Sequence, residues 1–385
     1  MNIHIQGPEG GLTELCKSLE ISEEHARRIN GIKRGEAAPG EELLGLVPTR
    51  SYRAVYGDTL EKISLRFGVS RRELLLANPH LATREPKIGE SVTLKYGDRC
   101  HGMRVANGYF HEGTSDEKLL TVLPFLTYVT FCSAVADKHG VRRIMQDKGQ
   151  LETATNAGKV PLFRVHDLFT ERFKKGDTKG FGESLIDFAT KGGYRGILLN
   201  ATSFSDSAEE YSLFLKKLRK LMIGHDLILI TEIDENSPVE FSDNADGSVL
   251  YYPKYAMERP PGFADGERKV LADFATRGES SKTFVDLSCL AKHQRGYCSI
   301  DEALELARRN GYVISQNEST LLSHFTDRKQ GEFTLPSLTG LRAIFDLICE
   351  FDYMGICFDI MRVPMKFLML YNAIFKTCYQ ASGGM

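Results

Sequence analysis

The chain has 385 residues, more than one hydrophobic core usually organises, so we expect two or more domains. Apolar residues make up 42% and charged residues 26% of the sequence, as is usual for a globular protein in water. A formal net charge of −2, without a long basic run, argues against a nucleic acid or an anionic membrane as the partner. No uncharged apolar run reaches roughly 18 residues, so the sequence predicts no membrane insertion.

The first residues, MNIHIQGPEGG, contain neither the basic nor the apolar region of a secretory signal peptide. We therefore expect synthesis in the cytoplasm. The eight cysteines are scattered and include no Cys-x-x-Cys pair, which favours buried, reduced thiols over a metal site. The sequence thus predicts no metal and no cofactor.

An internal repeat occupies the N-terminal quarter of the sequence. Five positions recur 48 residues later and three more recur 49 residues later, so one inserted residue separates the two sets. The matched pairs are Leu12 and Leu60, Leu15 and Ile63, Ile21 and Val69, Ser22 and Ser70, Asn30 and Asn78, Gly40 and Gly89, Glu41 and Glu90, and Leu43 and Val92. Matches in this order predict two copies of one small fold.

The second copy carries the local signals of a strand, two helices and a second strand. SYRAVY alternates as a strand does, and the helix LEKISLRF is expected to end at Gly68. Ser70 is a helix N-cap, and Pro79 ends the second helix. IGESVTLKY then closes the unit as a strand. A βααβ module this small, without a disulfide, suits ligand binding better than catalysis.

The stretches VYGDTLEKISLRFGVSRRELLLANPHL and KIGESVTL resemble the LysM module. This resemblance predicts one module over residues 51–96. A more divergent module is expected over residues 1–48, where Glu9-Gly10-Gly11 replaces Gly57-Asp58-Thr59.

The LysM resemblance implies a partner and a site. The family binds polymers that contain N-acetylglucosamine, chiefly peptidoglycan and chitin, in a shallow groove between its two strand–helix loops. Carried over by position, the glycan-binding residues would be Gly57, Asp58, Thr59, Leu60, Asn78, Pro79, Leu81 and Ile88. Asp58 and Thr59 also cap a helix and Asn78-Pro79 also ends one, so a purely structural role is the alternative.

From about residue 100 the sequence alternates short apolar strands with amphipathic helices, which is typical of buried parallel strands. Eight strands are expected, in MRVANGYF, LTYVTFCSAV, VPLFRVHDL, GILLNATSF, DLILITEI, SVLYYPKYAM, TFVDLSCL and YMGICFDIM. They predict a TIM (β/α)8 barrel over residues 100–380, with its functional site at the carboxyl ends of the strands. The stretch GYVISQNESTLLSHFTDRKQGEFTL predicts an antiparallel hairpin within a small α+β insertion around residues 286–336. The expected fold class is multidomain: two βααβ modules and an α/β barrel.

The order of these segments, from VANGYF through FLTYVTFCSAV to GICFDIMRVP, resembles the family-18 glycoside hydrolases, which are chitinase-like barrels. More narrowly, it resembles bacterial spore-cortex N-acetylglucosaminidases with N-terminal LysM pairs. In that family the fourth strand carries Asp-Gly-x-Asp-x-Asp-x-Glu, whose Glu protonates the glycosidic oxygen while the neighbouring Asp steers the substrate's acetamido group. Anchored on Gly196, the four acidic positions are Arg195, Leu198, Asn200 and Thr202. None is a carboxylate, so the resemblance implies a barrel without its catalytic acid.

Other residues at strand ends could replace the missing acid. Glu232, after the strand LILIT, is the first candidate and Asp286 the second. A polar strand end satisfied by its neighbours is the alternative for each. Tyr251 or Tyr252 stands where the family has a tyrosine that orients the acetamido group, and either could help to bind a glycan without an acid.

The sequence therefore predicts a non-catalytic protein that binds peptidoglycan or another N-acetylglucosamine-containing glycan. The resemblance also implies a place in the spore coat or cortex, with spore-envelope proteins as partners. One alternative is an active glycosidase with relocated carboxylates such as Glu232 and Asp286. The other is a structural barrel that binds a protein and is only localised by its LysM modules.

Overall fold

The computed structural model describes residues 3–6, 11–97, 102–137, 140–165, 178–200, 208–234, 237–251, 263–287 and 289–377. These residues form two βααβ units, a closed barrel of eight parallel strands and an α+β insertion, which is the expected fold class. None of the described helices combines the length and the apolar character needed to cross a membrane.

The first unit, module 1, consists of β1 (Ile3–Gln6), α1 (Leu12–Leu19), α2 (Glu23–Ile29) and β2 (Leu43–Leu46). Its two strands pair antiparallel. The apolar faces of the two helices cover this small sheet and form its core with Leu12, Leu15, Ile21, Ala26, Ile32 and Leu43.

The second unit, module 2, repeats this order. Its elements are β3 (Pro48–Arg53), α3 (Leu60–Phe67), α4 (Arg71–Ala77), a 3₁₀ turn (Pro79–Leu81) and β4 (Ser91–Tyr96). The helix ends obey the sequence signals, since Gly68 ends α3 with φ at 64° and Ser70 forms a reciprocal capping box with Glu73.

The repeat is preserved in three dimensions. In module 1 the buried Asn30 side chain joins α2 to β2, because it donates to the carbonyl of Leu44 (2.9 Å) and accepts from the Leu44 amide (2.7 Å). In module 2 Asn78 makes the same pair of bonds with Thr93, at 2.7 and 2.9 Å. Each asparagine also donates to the carbonyl four residues earlier. In each module, one buried asparagine amide thus links the second helix to the second strand.

The barrel strands follow one another around a closed parallel sheet, in which β5 pairs with both β6 and β18. In order they are β5 (Met103–Phe110), β6 (Tyr128–Asp137), β8 (Val160–Val165), β9 (Gly196–Asn200), β10 (Ile228–Ile233), β11 (Gly247–Leu250), β12 (Thr283–Asp286) and β18 (Gly355–Asp359). Two further strands, β7 (Gly140–Arg143) and β19 (Lys376–Thr377), pair with β6 and β5 respectively. All eight strands predicted from the sequence are present.

Helices surround the barrel. They are α5 (Asp116–Val122), which runs into a 3₁₀ turn (Leu123–Phe125), α6 (Lys148–Asn156), α7 (Thr178–Gly192), α8 (Ala208–Met222), α9 (Val239–Asp243), α10 (Phe263–Thr276), α12 (Leu338–Glu350) and α13 (Met365–Ile374). A 3₁₀ turn (Ser280–Lys282) precedes β12.

Alternating side chains divide the barrel into two cores. One set of residues points outward against the helices. The other set fills the interior and includes Tyr109, Tyr128, Cys132, Leu162, Leu198, Ile230, Val249, Phe284 and Cys357. The interior is therefore packed mainly with apolar side chains, and it also encloses the hydrogen-bonded polar side chains of Asn107 and Thr130.

The insertion lies between β12 and α12, at the carboxyl end of the barrel. It contains β13 (Leu290–His293), β14 (Gly296–Ser299), α11 (Ile300–Asn310), β15 (Ser315–Asn317), β16 (Leu322–Asp327) and β17 (Gly331–Pro336). These strands form one five-stranded sheet. The predicted hairpin thus corresponds to β15, β16 and β17, which are three strands of this larger sheet. The strands β13 and β14 were not part of the prediction, because they are short and polar and carry little periodic signal.

The two modules lie along one flank of the barrel and share its outer core. Module 1 meets the insertion, where Glu41 forms an ion pair with Arg308, and the Glu42 carboxylate accepts from the first amides of α12. Module 2 meets the opposite end, where Arg72 donates to the carbonyls of Pro124 and Leu126. Both modules therefore pack directly against the barrel or its insertion and are not joined to it by a linker alone.

Candidate functional site

The carboxyl end of β9 is where the family-18 acids were expected. Leu198 lies in the inner core, whereas Ile197 and Leu199 lie in the outer core. Since strand side chains alternate, Asn200 has the same inward parity as Leu198. Two of the four motif positions thus point into the barrel and carry an aliphatic and an amide side chain.

The other two motif positions lie at the ends of this stretch. Arg195 precedes β9 and forms an exposed ion pair with Asp226 at 3.3 Å. Thr202 lies outside the described residues.

Glu232 ends up beside Asn200, because the two residues are paired in register on β10 and β9. Its buried carboxylate is held by a bidentate ion pair with Arg164 of β8, at 2.8 Å from Nε and 2.7 Å from Nη2. The Tyr109 hydroxyl of β5 donates to the same carboxylate at 2.9 Å. Both carboxylate oxygens are therefore occupied by donors, and the Arg164 charge neutralises the group.

Asp286 lies at the end of β12 and points toward the same interior. Burial and the neighbouring Glu232 carboxylate raise the pKa of Asp286 well above its usual value. The Arg164 guanidinium opposes this rise in the pKa of Asp286, but its Nε and Nη2 both donate to Glu232.

Two tyrosines stand on the rim of the barrel. Tyr251 directly follows β11 and is 39% exposed, and Tyr297, on the β13–β14 hairpin, is 56% exposed. Burial, together with the Asp286 and Glu232 carboxyl groups, raises the pKa of the Tyr251 hydroxyl, and Tyr297 adds to this effect. Both rings therefore lie at the polar end of the barrel, where sugar rings can pack on aromatic faces. Tyr252 lies outside the described residues.

The sequence reasoning missed three members of this cluster: Arg164, Tyr109 and Tyr297. Arg164 has the inward parity of Leu162 in VPLFRV, so the alternation of β8 was a usable signal. For Tyr297 no local signal existed, because the insertion brings it to the rim.

Module 2 contains the second candidate site, at the loops between β3 and α3 and between the 3₁₀ turn and β4. The loops are joined by backbone bonds from Gly89 to Ala54 (2.7 Å) and from Ala54 to Glu90 (2.9 Å). The Glu85 carboxylate of the second loop also accepts from the first amide of α3, that of Leu60, at 2.6 Å. The space between residues 55–59 and 82–89 is called the module 2 groove below.

Exposed apolar side chains line both sides of the module 2 groove. Tyr56 is 89% exposed and Val55 54% exposed on one loop, and Ile88 is 70% exposed on the other. An exposed aromatic ring beside aliphatic groups on a rigid module is suited to the apolar face of a sugar. Tyr56 and Val55 were not among the predicted residues, although both stand in the VYGDT motif.

The eight predicted glycan-binding residues fall into two groups. Gly57, Thr59 and Ile88 lie at the surface of the module 2 groove. The remaining five are buried and support the loops from below: Asp58, Leu60, Asn78, Pro79 and Leu81. Contact between any of these residues and a glycan stays a prediction.

Asp58 illustrates the supporting role. Its carboxylate accepts from the Tyr52 hydroxyl (2.7 Å) and the Val55 amide (2.9 Å) and lies 3.1 Å from Arg66. These donors lower the pKa of Asp58, the Tyr52 hydrogen bond most of all. Asp58 thus fixes the loop that presents Tyr56.

The corresponding loop of module 1 faces the barrel insertion instead of solvent. Its Pro39 carbonyl accepts from the Ile314 amide at 2.7 Å. A Cβ added at Gly40 would lie 1.9 Å from the Ile314 carbonyl oxygen, whereas a Cβ at its counterpart Gly89 would meet nothing within 4 Å. The two copies have therefore diverged in what they contact.

Comparison with protein families identifies a LysM domain at residues 52–95. Among curated proteins, the chain resembles YdhD of Bacillus subtilis, named as a sporulation-specific glycosylase, with 21% identity over 257 residues. This match covers 63% of the chain and 60% of YdhD, so less than two thirds of that protein is represented.

Among solved structures, the spore cortex-lytic enzyme SleL of Bacillus cereus matches 99% of this chain and 100% of its own, with a TM-score of 0.74 and 16% identity. SleL of Bacillus megaterium matches with a TM-score of 0.71, 16% identity and coverage of 98% and 99%. A chitinase of Chromobacterium violaceum covers 70% of this chain and 98% of its own, with a TM-score of 0.61 and 12% identity. These likenesses confirm the chitinase-like barrel fold. They do not extend to activity.

Proposed function

We propose that this protein binds an N-acetylglucosamine-containing polymer, with peptidoglycan as the first candidate, and that its barrel recognises glycan without hydrolysing it. The open module 2 groove, with Tyr56 and Ile88 exposed on a LysM domain, is the observation that carries the proposal. The loop of module 1 is occupied by the insertion, which supports module 2 as the principal glycan-binding module.

The arrangement of the barrel mouth supports recognition rather than hydrolysis. The inward positions of β9 offer no acid, and Glu232 is engaged by Arg164 and Tyr109. The rim tyrosines Tyr251 and Tyr297 remain available to stack on sugar rings.

The likeness to SleL and YdhD supports the further proposal that the protein resides in the spore coat or cortex after synthesis in the cytoplasm. Spore-envelope proteins would then be its neighbours. Immunoblots of purified spore layers from the source organism test this, and recovery only in the soluble cell fraction would contradict it.

The binding proposal predicts that the full chain co-sediments with insoluble peptidoglycan and that Tyr56→Ala with Ile88→Ala weakens this binding by about 10- to 100-fold. Covering each of these side chains with a glycan contributes roughly 1.5–3 kcal/mol of binding free energy from buried apolar surface. Part of that contribution is lost when the side chain is truncated to alanine. Sedimentation isotherms provide the measurement.

Leu65→Ala is the matched control, because Leu65 is an exposed apolar residue of the same module (79%) but lies on α3, outside the groove. It should leave the isotherm unchanged. Equal loss of binding in the control, or none in the double variant, would show that the groove is not the site.

The barrel proposal predicts no turnover of a fluorogenic chitobiose above the buffer rate at neutral pH. Without a positioned general acid the rate of hydrolysis falls by about 10²–10⁴-fold, and the absence of the motif's aspartate lowers the rate further. A family-18 chitinase assayed in parallel shows that the substrate is competent.

One observation favours hydrolysis as a second candidate function: Asp286 is a carboxyl group at the inner end of β12 whose pKa is raised by burial, and it lies near the rim tyrosine Tyr251. A relocated acid of this kind would give turnover that Asp286→Asn abolishes and Leu65→Ala preserves. That pair of results would overturn the non-catalytic barrel and leave the glycan-binding groove standing.

A further inference from the structure

The Glu90 side chain is the centre of a buried hydrogen-bond cluster beside the module 2 groove. Glu90 directly follows the loop of residues 82–89, which forms one side of the groove, and it is 7% exposed. Arg84, within this loop, donates to both carboxylate oxygens at 2.8 Å. The Lys87 amide donates to one of them, also at 2.8 Å. One carboxylate therefore holds the loop at two points.

These bonds fix the position of Ile88 in the groove. Its neighbour Lys87 is bound to Glu90, and the amide of its other neighbour, Gly89, donates to the Ala54 carbonyl at 2.7 Å. Since the backbone is held on both sides, the exposed Ile88 side chain is kept at the surface of the groove. The placement of a predicted glycan contact thus depends on Glu90.

A third donor to Glu90 comes from module 1. The Arg28 Nη2, in the last turn of α2, donates to the Glu90 Oε1 at 2.7 Å, across 62 residues of sequence. Arg28 is held in turn by Glu24, one turn earlier on α2. The Arg28 and Glu90 side chains are 24% and 4% exposed, so water screens the pair only weakly. Module 1 therefore reaches the groove loop of module 2 through one shielded, charge-assisted hydrogen bond.

The cluster keeps the Glu90 carboxylate ionised. Burial opposes ionisation, but the bonds from Arg84 and the Lys87 amide, together with the Arg28 charge, outweigh it and lower the pKa of Glu90 to about 2. At neutral pH the Arg28 guanidinium thus faces a full negative charge.

Module 1 has the same arrangement at the repeat counterpart of Glu90, which is Glu41. Glu41 accepts from the amide three residues earlier, that of Ala38 (3.2 Å), as Glu90 does from Lys87. Its arginine partner also comes from the neighbouring unit, because the Nε of Arg308 in the insertion donates to it at 2.8 Å. In both copies an arginine from outside the module binds the glutamate that organises the loop. The recurrence indicates that this contact belongs to how each loop is set.

We propose that Arg28 is a positioning residue for the module 2 groove, which acts through Glu90 to hold the loop of residues 82–89 in the shape that binds glycan. Module 1, whose own loop is covered by the insertion, thereby supports binding by module 2. The inference rests on the glycan-binding function proposed above and adds a role for the module that does not offer an open groove. A loop that is ordered in advance loses less conformational entropy on binding, so the support should raise affinity.

Arg28→Met tests the proposal, because methionine keeps an apolar stem and removes the guanidinium. We expect the full chain to bind insoluble peptidoglycan about 3- to 10-fold more weakly in sedimentation isotherms. The saturation level should stay that of the unmodified chain, whereas a variant that unfolds would lower the saturation level instead. Unmodified binding in Arg28→Met would overturn the role of Arg28 and leave the proposed function standing. Absence of binding by the unmodified chain would overturn the proposed function, and the role of Arg28 with it.

Arg27→Met is the matched control. Arg27 precedes Arg28 on α2, its side chain is 23% exposed, and it also pairs with the glutamate four residues earlier. Its partners among the described residues are Glu23, Glu36 and the Gly35 carbonyl, which all belong to module 1. Arg27→Met should leave the isotherm unchanged. Equal weakening by the two variants would assign the effect to the charge of α2, and would overturn the positioning role.

His80 reports on the Arg28–Glu90 pair without any glycan. Its Nε2 lies 3.1 Å from the Glu90 carboxylate, and burial followed by the Arg28 charge lowers its pKa to about 4, with Glu90 opposing this shift and Arg84 adding to it. Arg28→Met should therefore raise the pKa of His80, and Arg27→Met should not, in an NMR titration of the imidazole resonances. An unchanged pKa of His80 in Arg28→Met would show that Arg28 does not lie at Glu90 in solution, and would overturn the proposal.

Discussion

Replacing Arg164 by methionine is expected to lower the free energy of unfolding by about 3–5 kcal/mol, the largest effect of any single substitution considered for the barrel mouth. Arg164 and Glu232 are 17% and 4% exposed, and they form a bidentate pair between β8 and β10. Without the guanidinium the Glu232 carboxylate remains buried without a countercharge, beside a second carboxyl group at Asp286. Urea unfolding at neutral pH gives the measurement.

The control for this experiment is Arg195→Met. Arg195 and Asp226 form an ion pair in which both partners are largely exposed, at 63% and 94%. Such a pair contributes within about 0.5 kcal/mol. If Arg164→Met were as mild as Arg195→Met, the polar cluster of the barrel would not depend on the Arg164–Glu232 pair.

Gly40→Ala is expected to destabilise the chain by about 2–5 kcal/mol and to loosen module 1 from the insertion. Gly40 has φ at 79°, a conformation that costs alanine about 1–2 kcal/mol. The new Cβ would also lie 1.9 Å from the Ile314 carbonyl oxygen, which adds about 1–3 kcal/mol of overpacking. Thermal unfolding and hydrogen exchange at the Ile314 amide report the two effects.

Gly89→Ala is the matched control, since Gly89 occupies the same place in module 2. Its φ is also 79°, but its Cβ would meet nothing within 4 Å. Only the backbone strain of about 1–2 kcal/mol should appear. Equal effects at the two positions would mean that the contact with Ile314 does not hold module 1 in place.

The correct predictions from the sequence rest on patterns that are local or periodic. Gly68 ends α3 through its left-handed backbone, Ser70 caps α4 through its side chain, and the order of eight apolar runs specified the barrel. The absence of inward-facing carboxylates in GILLNATSF could also be predicted, because alternate side chains along one strand point to the same side.

The limits of sequence reasoning are clearest at Asn78. As a member of a binding motif, Asn78 was predicted to bind a glycan, with a purely structural role as the alternative, and its contact with a glycan stays a prediction. The structure shows both amide hydrogens directed to protein carbonyls, of Leu74 and Thr93, as in its counterpart Asn30. A motif position records that a residue is required, but not whether it supports the loop or meets the ligand.

The sequence by itself determined the repeat, the LysM signature and the strand order, since each depends on neighbours in the chain. Only the tertiary structure decided which charges meet. Glu232 pairs with Arg164 from 68 residues away, and Glu41 pairs with Arg308 from 267 residues away. The repeat counterpart of Glu41, Glu90, instead pairs with Arg84 in its own module and with Arg28 of module 1. The physical reason is that ion pairs and cavities are properties of packed surfaces, and their partners are chosen by how the elements dock and not by spacing along the chain.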